Sequence, residues 1–329
     1  MYAAIFISPF LLIFLSLFIG RYPISFGRIM GILWNGLFSG SKGNKDVLAT
    51  IIWDIRLPRA LLGAMVGASL AVSGAAFQGL FRNPLVSSGM LGVSSGAGFG
   101  AALAILLFSQ SYYIYPFAFA FGLSAVILSY LIGTIYKTMP SIMLVLSGVI
   151  VSQIFSSLIS LVKFAADPRD QLPTIVFWLM GSLASARFKD VAFAIIPIGL
   201  GVSGLVLLRW RINVLSMGDK EAKTLGINTR LTKSLLILFA TLSTVGAVCV
   251  SGIVGWVGLV IPHIGRMIAG NDNKTLIPVS VALGASFMIL VDLLARNLTG
   301  SEIPLGILTS LIGAPFFVYL LKKTKGKGW

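Results

Sequence analysis

The sequence predicts an all-α integral membrane protein of about ten transmembrane helices, and three observations carry that reading. Of 329 residues, 57% are hydrophobic and only 11% are charged, where a soluble domain carries about 25% charged residues. So few charges cannot cover a water-facing surface, which excludes a soluble enzyme, a disordered chain and a fibrous repeat. The apolar residues also fall in runs close to the ~20 residues a helix needs to cross a bilayer. Finally, the 25 Lys and Arg outnumber the 10 Asp and Glu and lie between those runs or in the tail, at Lys322, Lys323, Lys325 and Lys327. That placement suits anionic lipid headgroups and not nucleic acid.

The runs follow in order. Tyr2–Gly20 has no basic segment before it and no A-x-A site ahead of Arg21, so it reads as a span and not a cleaved signal. Leu57–Leu80 precedes Asn83-Pro84, a helix stop. Gly63 and Gly67 in this run, and Gly92, Gly96 and Gly100 in Leu91–Phe108, are spaced for close helix approach. The glycine-rich string from Gly92 lacks the Gly-Lys-Ser/Thr ending of a phosphate loop and sits in an apolar run, so packing is the better reading. Tyr113–Tyr136, Ile142–Phe164, Val191–Leu208 and Leu231–Val250 come next. The short run Val254–Ile268 contains Pro262, expected to kink or restart it, and Leu276–Leu294 and Leu305–Leu321 complete the set.

An even number of spans puts both termini on one side. Placing them in the cytoplasm puts a slim majority of basic residues there, Arg82, Lys137, Arg209, Arg211 and the tail lysines among them, while Arg21 and Arg28 fall outside. No soluble domain interrupts 1–329, which reads as a single transmembrane domain with external segments at Arg21–Trp53 and Lys163–Asp190. Val72-Ser73-Gly74 and Val250-Ser251-Gly252 each precede a proline motif, a weak trace of two similar halves.

The chemistry is sparse. Cys249 is the single cysteine and His263 the single histidine, so no disulfide and no Cys- or His-based metal site is expected. His263 beside Pro262 invites a gate or pH-switch reading, but a lone histidine in an apolar helix reads first as a core residue. Of the acidic residues only Asp292 lies well inside a run, and Arg296 one turn later makes a helix-surface ion pair the expected role. The equipment of ion coupling is thus missing, and no selectivity-filter motif marks a channel. Gln78 and Asn83 are candidates for lining the inner end of a path, with Pro84, Gly92, Pro262 and His263 as further pathway or gating positions. Nor is there a G-x-x-x-x-G-K-[ST] sequence for binding ATP.

The loop 213–228 is unusual. Ser216 and Asp219 are spaced as a capping box, Gly226 as a C-cap, and Ala222 and Leu225 are expected to share a face with Met217 or Gly218. Such a helix either lies on lipid or docks a cytoplasmic partner.

Several separated stretches resemble the FecCD/BtuC permease family. These are Arg56-Leu57-Pro58-Arg59, Gly74 and Gln78, Arg82-Asn83-Pro84-Leu85 and Leu91-Gly92-Val93 in the first half. Asp219-x-x-Ala222-x-x-Leu225-Gly226, Gly255-Trp256-Val257-Gly258 through Pro262-His263 to Arg266, Glu302-Ile303-Pro304-x-Gly306 and Gly313-x-Pro315-x-Phe317 complete them. The one small departure is Trp256, where phenylalanine is commoner.

The resemblance implies the membrane subunit of an ABC importer for iron–siderophore complexes, haem or cobalamin, of the type II permease fold, with molybdate or tungstate as the alternative cargo. An ion-coupled secondary transporter is the different-class alternative. It implies ten helices with both termini cytoplasmic, in a bacterial or archaeal inner membrane, and a second copy of the chain around a two-fold axis. It also implies two ATP-binding cassette subunits that bind ATP and Mg and do the hydrolysis, and an extracytoplasmic substrate-binding protein. The chain itself is then non-catalytic and binds no cofactor. On this resemblance Ser216, Met217, Gly218, Asp219, Glu221, Ala222, Leu225 and Gly226 couple to the ATPase. Arg56, Arg59 and Arg296, at the outer mouth, receive acidic residues of the binding protein, a task suited to arginine's fixed fork.

Overall fold

The computed structural model of the chain describes residues 1–38, 46–108, 111–135 and 141–323. Tyr136, Lys137, Lys325, Lys327 and part of the Arg21–Trp53 segment lie outside the described residues.

Fifteen α-helices carry the described fold, and no strand occurs among the described residues. They are α1 (Tyr2–Ser16), α2 (Phe26–Phe38), α3 (Val47–Thr50), α4 (Leu57–Phe81), α5 (Val93–Leu107), α6 (Ile114–Gly133), α7 (Ser141–Ala165) and α8 (Gln171–Met180). After them come α9 (Phe188–Leu207), α10 (Arg209–Met217), α11 (Asp219–Thr224), α12 (Thr229–Ser251), α13 (Val257–Ala269), α14 (Asn273–Asn297) and α15 (Leu305–Lys323). A π-helical stretch, Ile51–Arg56, joins α3 to α4.

Among the described residues, six segments are long and apolar enough to cross a membrane: Val47–Phe81, Ile114–Gly133, Ile142–Ala165, Phe188–Leu207, Thr229–Ser251 and Asn273–Asn297. Four shorter apolar helices, α1, α5, α13 and α15, coincide with the remaining predicted runs. The fifth, α8, falls where an external loop is predicted. It was hidden because ten residues interrupted by Pro173 are too few to read as a span.

The core is organised around α4, which is apolar on every side and buried along nearly its whole length. One apolar cluster joins it to α5, α6, α9, α10 and α12, and a second joins it to α9, α12, α13, α14 and α15. The outer helices α6, α7 and α9 bury only their inner faces and leave Leu131, Phe164 and Leu207 exposed, as a lipid-facing layer requires.

Close helix approach is made by small residues. A Cβ on Gly67 would run into the Gly284 carbonyl of α14, and one on Gly284 into the Gly67 carbonyl. Gly74 meets Gly258 of α13 in the same way, and Gly96 and Gly100 meet the α6 backbone at Phe121 and Phe117. Each such glycine costs the helix about 0.5–1 kcal/mol relative to alanine, which the closer packing offsets. The expectation for two other glycines is corrected. Gly63 makes only ordinary contact, with Leu183, and Gly92 (φ +88°) precedes α5 as a left-handed turn residue instead of a packing residue. Inside the bundle Ser69 and Ser243 pair across α4 and α12 at 2.8 Å, and the Ser69 hydroxyl donates to the Ser243 carbonyl at 2.7 Å.

Three connectors meet at one end of the bundle. The Ser182 N–H donates to the Ser251 carbonyl at 2.8 Å, and the Leu305 N–H to the Gly181 carbonyl at 2.9 Å. The ends of α8 and α12 and the start of α15 are thereby stitched by main-chain bonds. Nearby, Trp256 (φ +67°) sets its indole against Gly313 and Phe317 of α15.

Candidate functional site

The two ends of the bundle carry different chemistry. At the end where α9 hands over to α12, α10 and α11 form a compact unit broken at Gly218, whose φ of +142° glycine accommodates readily. Ile212, Val214 and Leu215 of α10 and Ala222 of α11 are buried against the helices above. Asn213 accepts from the Asn273 N–H at 3.1 Å and ties α10 to the start of α14.

The end of α11 is a Schellman turn. Gly226 (φ +76°) donates its N–H to the Lys223 carbonyl and Ile227 donates to that of Ala222, both at 3.0 Å. Asn228 then caps α12 by accepting from the Leu231 N–H at 3.0 Å. Beneath the unit, the buried Lys233 ammonium holds Asp219 at 2.6 Å.

What this rigid unit presents outward is Met217, 63% exposed, and Leu225, 57% exposed, ringed by Lys220, Glu221, Lys223 and Gly226. Two expectations are corrected here. Ser216 and Asp219 make no capping box: the Ser216 hydroxyl donates to the Asn213 carbonyl at 2.6 Å within α10, and Asp219 is engaged by Lys233. Ala222 does not share a face with Leu225 or Met217: it is buried together with Gly218, one turn before it, whereas Leu225 caps α11 beyond its last helical residue, Thr224, and Met217 lies on the far side of the break at Gly218.

Between this unit and the core, the turn after α4 holds the predicted pathway residues. Arg82 ends α4 in a left-handed conformation (φ 51°), and the Asn83 carboxamide oxygen accepts from the Leu85 N–H at 2.9 Å, setting the turn at Pro84. Gln78 is buried, and its amide donates to the carbonyls of Val86 and Gly258 at 3.1 and 3.3 Å. Gln78 therefore stitches α4 to its turn and to α13. Pro262 and His263 are buried in α13, which runs unbroken from Val257 to Ala269, so Pro262 does not restart the helix.

The opposite end holds a charged cluster. Arg59 donates from Nε to both oxygens of Asp292 at 2.8 and 3.0 Å, and from its two terminal nitrogens to Glu302 at 2.8 and 2.9 Å. Arg56 donates to the carbonyls of Leu17 and Tyr22, both at 2.6 Å, and Arg296 to that of Ser16 at 3.0 Å. Arg21 donates to the carbonyls of Arg296 and Thr299.

Arg56, Arg59 and Arg296 are only 3%, 4% and 7% exposed. The expectation of arginines free to receive a partner's carboxylates is corrected: their forks are turned inward and are occupied by this chain's own acceptors. The expected surface pair of Asp292 with Arg296 is a buried contact of 3.8 Å, secondary to Arg59. Glu302 was not singled out as an ion partner, although it opens the Glu-Ile-Pro motif before α15. Burial pushes its carboxyl up, but the Arg59 hydrogen bond and charge, with Arg21 and Arg296 behind, hold it below the ordinary value of 4.5. Four arginines against two carboxylates leave this cluster with a net positive charge.

The fold and its two ends define a class, an all-helical, multi-pass membrane permease with an exposed, rigidly mounted helix pair at one end. The profile of the FecCD transport family matches residues 8–323, and the chain belongs to that family. It is 41% identical over 314 residues to the molybdate import system permease protein MolB of Haemophilus influenzae, covering 95% of this chain and 93% of that one. It is 37% identical over 304 residues to the hemin transport system permease protein HmuU of Yersinia pestis, covering 89% and 87%. A solved structure described as an inward-facing conformation of a metal-chelate type ABC transporter superposes with a TM-score of 0.87 at 39% identity, covering 98% of both chains. The protein is a permease subunit of an ABC importer.

Proposed function

We propose that the chain forms the translocation path of an importer for a metal chelate, an iron–siderophore complex, haem or cobalamin. In this reading two copies pack around a two-fold axis, and residues 1–329 form one transmembrane domain that crosses the bilayer ten times, by the six long segments and α1, α5, α13 and α15. Both termini and the α10–α11 unit face the cytoplasm of a bacterial or archaeal cell. Two ATP-binding cassette subunits bind ATP and Mg and seat Met217 and Leu225 in a cleft, so that their closure moves α9 and α12. The chain itself binds no cofactor and catalyses nothing. Gln78, Asn83, Pro84, Gly92, Pro262 and His263 lie along the inner path or its gate.

An extracytoplasmic binding protein docks at the opposite end. With the forks of Arg56, Arg59 and Arg296 turned inward, these arginines act through the net positive charge of their cluster, which draws acidic lobes at long range.

The observation that carries this reading is the exposed Met217–Leu225 rim on a unit pinned by Asn213–Asn273, Lys233–Asp219 and the Gly226 turn. A surface helix resting on lipid needs no such mounting. Ion coupling is disfavoured because Asp292, the one acid deep in a predicted span, is held by Arg59. The likeness to the molybdate permease supports a molybdate or tungstate cargo as the second reading.

The test is to purify the chain from its native membrane, identify co-purifying subunits, and assay ATPase activity with and without the binding protein. An associated ATPase stimulated by a binding protein that carries a metal chelate is the expected result. A binding protein loaded with oxyanion selects the second reading. Uptake by the chain alone in vesicles, without ATP, overturns both.

A further inference from the structure

At the charged end, away from the Arg59 cluster, a cavity of about 750 Å³ opens between the starts of α6 and α9, helix α8 and the end of α12. That volume lies within the range of about 300–1,000 Å³ typical of small-molecule sites. Its walls are aromatic, from Tyr115, Phe177, Trp178 and Phe193, and Arg187 and Lys189 are exposed at its lining. The one carboxylate in the wall, Asp190, is buried and already satisfied, accepting from the Tyr115 hydroxyl at 3.1 Å and the Arg187 N–H at 2.8 Å. Neither Arg187 nor Lys189 makes an ion pair among the described residues.

Position narrows the occupant. Arg187 and Lys189 stand at the start of α9, a helix long and apolar enough to cross a membrane, and about two turns further along Ile195 and Ile196 are exposed on its surface. The two cations therefore sit at headgroup level, with an aromatic hollow beside them at the depth where an acyl chain begins. An apolar chamber with a cationic mouth at that level matches a ligand with an anionic head and an apolar tail. We propose that the cavity is a binding site for an anionic phospholipid, its phosphate on Arg187 and Lys189 and the first part of an acyl chain against Phe177 and Trp178. The site is independent of the cargo and of the ATPase partner, so its failure leaves the permease reading untouched.

The full chain in detergent micelles, titrated with phosphatidylglycerol brominated on its acyl chains, reports occupancy by quenching of Trp178, isolated by difference against Trp178→Phe. Brominated phosphatidylcholine gives the zwitterionic comparison, and inorganic phosphate with chloride at matched ionic strength separates a bare anion from a lipid. The expected result is quenching selective for phosphatidylglycerol, with apparent affinity falling roughly fivefold for each cation removed in Arg187→Gln and Lys189→Gln. Ser185→Phe, at an exposed position in the lining, is expected to fill the hollow and weaken quenching with both cations intact. Equal quenching by the two lipids overturns the proposal, as does selectivity that survives Arg187→Gln combined with Lys189→Gln. Displacement by phosphate but not by chloride overturns the lipid as occupant and leaves a free-anion site.

Discussion

Replacing Arg59 with alanine asks directly whether the charged cluster holds the fold. Arg59 makes four hydrogen bonds of 2.8–3.0 Å, two to each of Asp292 and Glu302. Without it, Asp292 stays buried with only Arg296 at 3.8 Å, beyond hydrogen-bond reach. Breaking one partner of a buried ion pair costs about 3–5 kcal/mol. Glu302 is partly exposed, so water replaces most of what it loses. The Arg296 charge retains part of the attraction on Asp292, which places the expected loss near the lower bound, about 3 kcal/mol. That is roughly a 150-fold shift in the unfolding equilibrium. The assay is unfolding by sodium dodecyl sulfate in mixed micelles, followed by helical circular dichroism. Arg59→Met combined with Asp292→Leu removes both charges of the pair and is expected to recover part of the loss, with Arg296 keeping its bond to the Ser16 carbonyl. If Arg59→Ala lies within about 0.5 kcal/mol of wild type, or the double variant is no better than the single, the reasoning fails.

The other expectations concern the opposite end, a helix seam and acid. Leu225→Asp should abolish co-purification of the ATPase while leaving stability within about 0.5 kcal/mol, because the side chain is exposed; pull-down and melting of the same sample check both halves. Gly67→Ala drives a methyl into the Gly284 carbonyl and should cost a net of about 1–2 kcal/mol. Gly199→Ala, with open space around it, should cost nothing or stabilise slightly in the same melt. Glu302 keeps its charge to lower pH when folded than when unfolded, so its contribution is present at neutral pH and disappears as pH falls below 4.5 through the depressed folded value. Glu302→Gln should flatten that acidic limb of the stability–pH curve.

What the sequence made legible follows the range of the physics involved. Long apolar runs are local, and α4, read as Leu57–Leu80, is found at Leu57–Phe81. The Schellman turn at Gly226 is equally local and was readable from one glycine. Partners across the fold were not. Arg59 meets Asp292 and Glu302 across 233 and 243 residues of chain, while the i,i+4 rule pointed to Arg296 for Asp292. Gly67 was readable as a small residue on a packing face, but Gly284, which it touches, is not implied by any spacing within one helix. Ala222 was grouped with Met217 and Leu225 because helical periodicity assumes one continuous helix, whereas Gly218 separates it from Met217 and α11 ends at Thr224, before Leu225.

The stitched junction of Ser182, Ser251 and Leu305 gives α12 the character of a lever. Asn228 caps one end and two main-chain bonds, direct and through Gly181, link the other end to α8 and α15. Its 23 residues span about 34 Å. A tilt of about 5° about one end therefore displaces the other by about 3 Å, roughly the rise of two helical residues. The near end of α12 abuts the α10–α11 unit and the far end lies beside the aromatic cavity, so a small angular step at one face becomes a translation large enough to re-register side chains at the other.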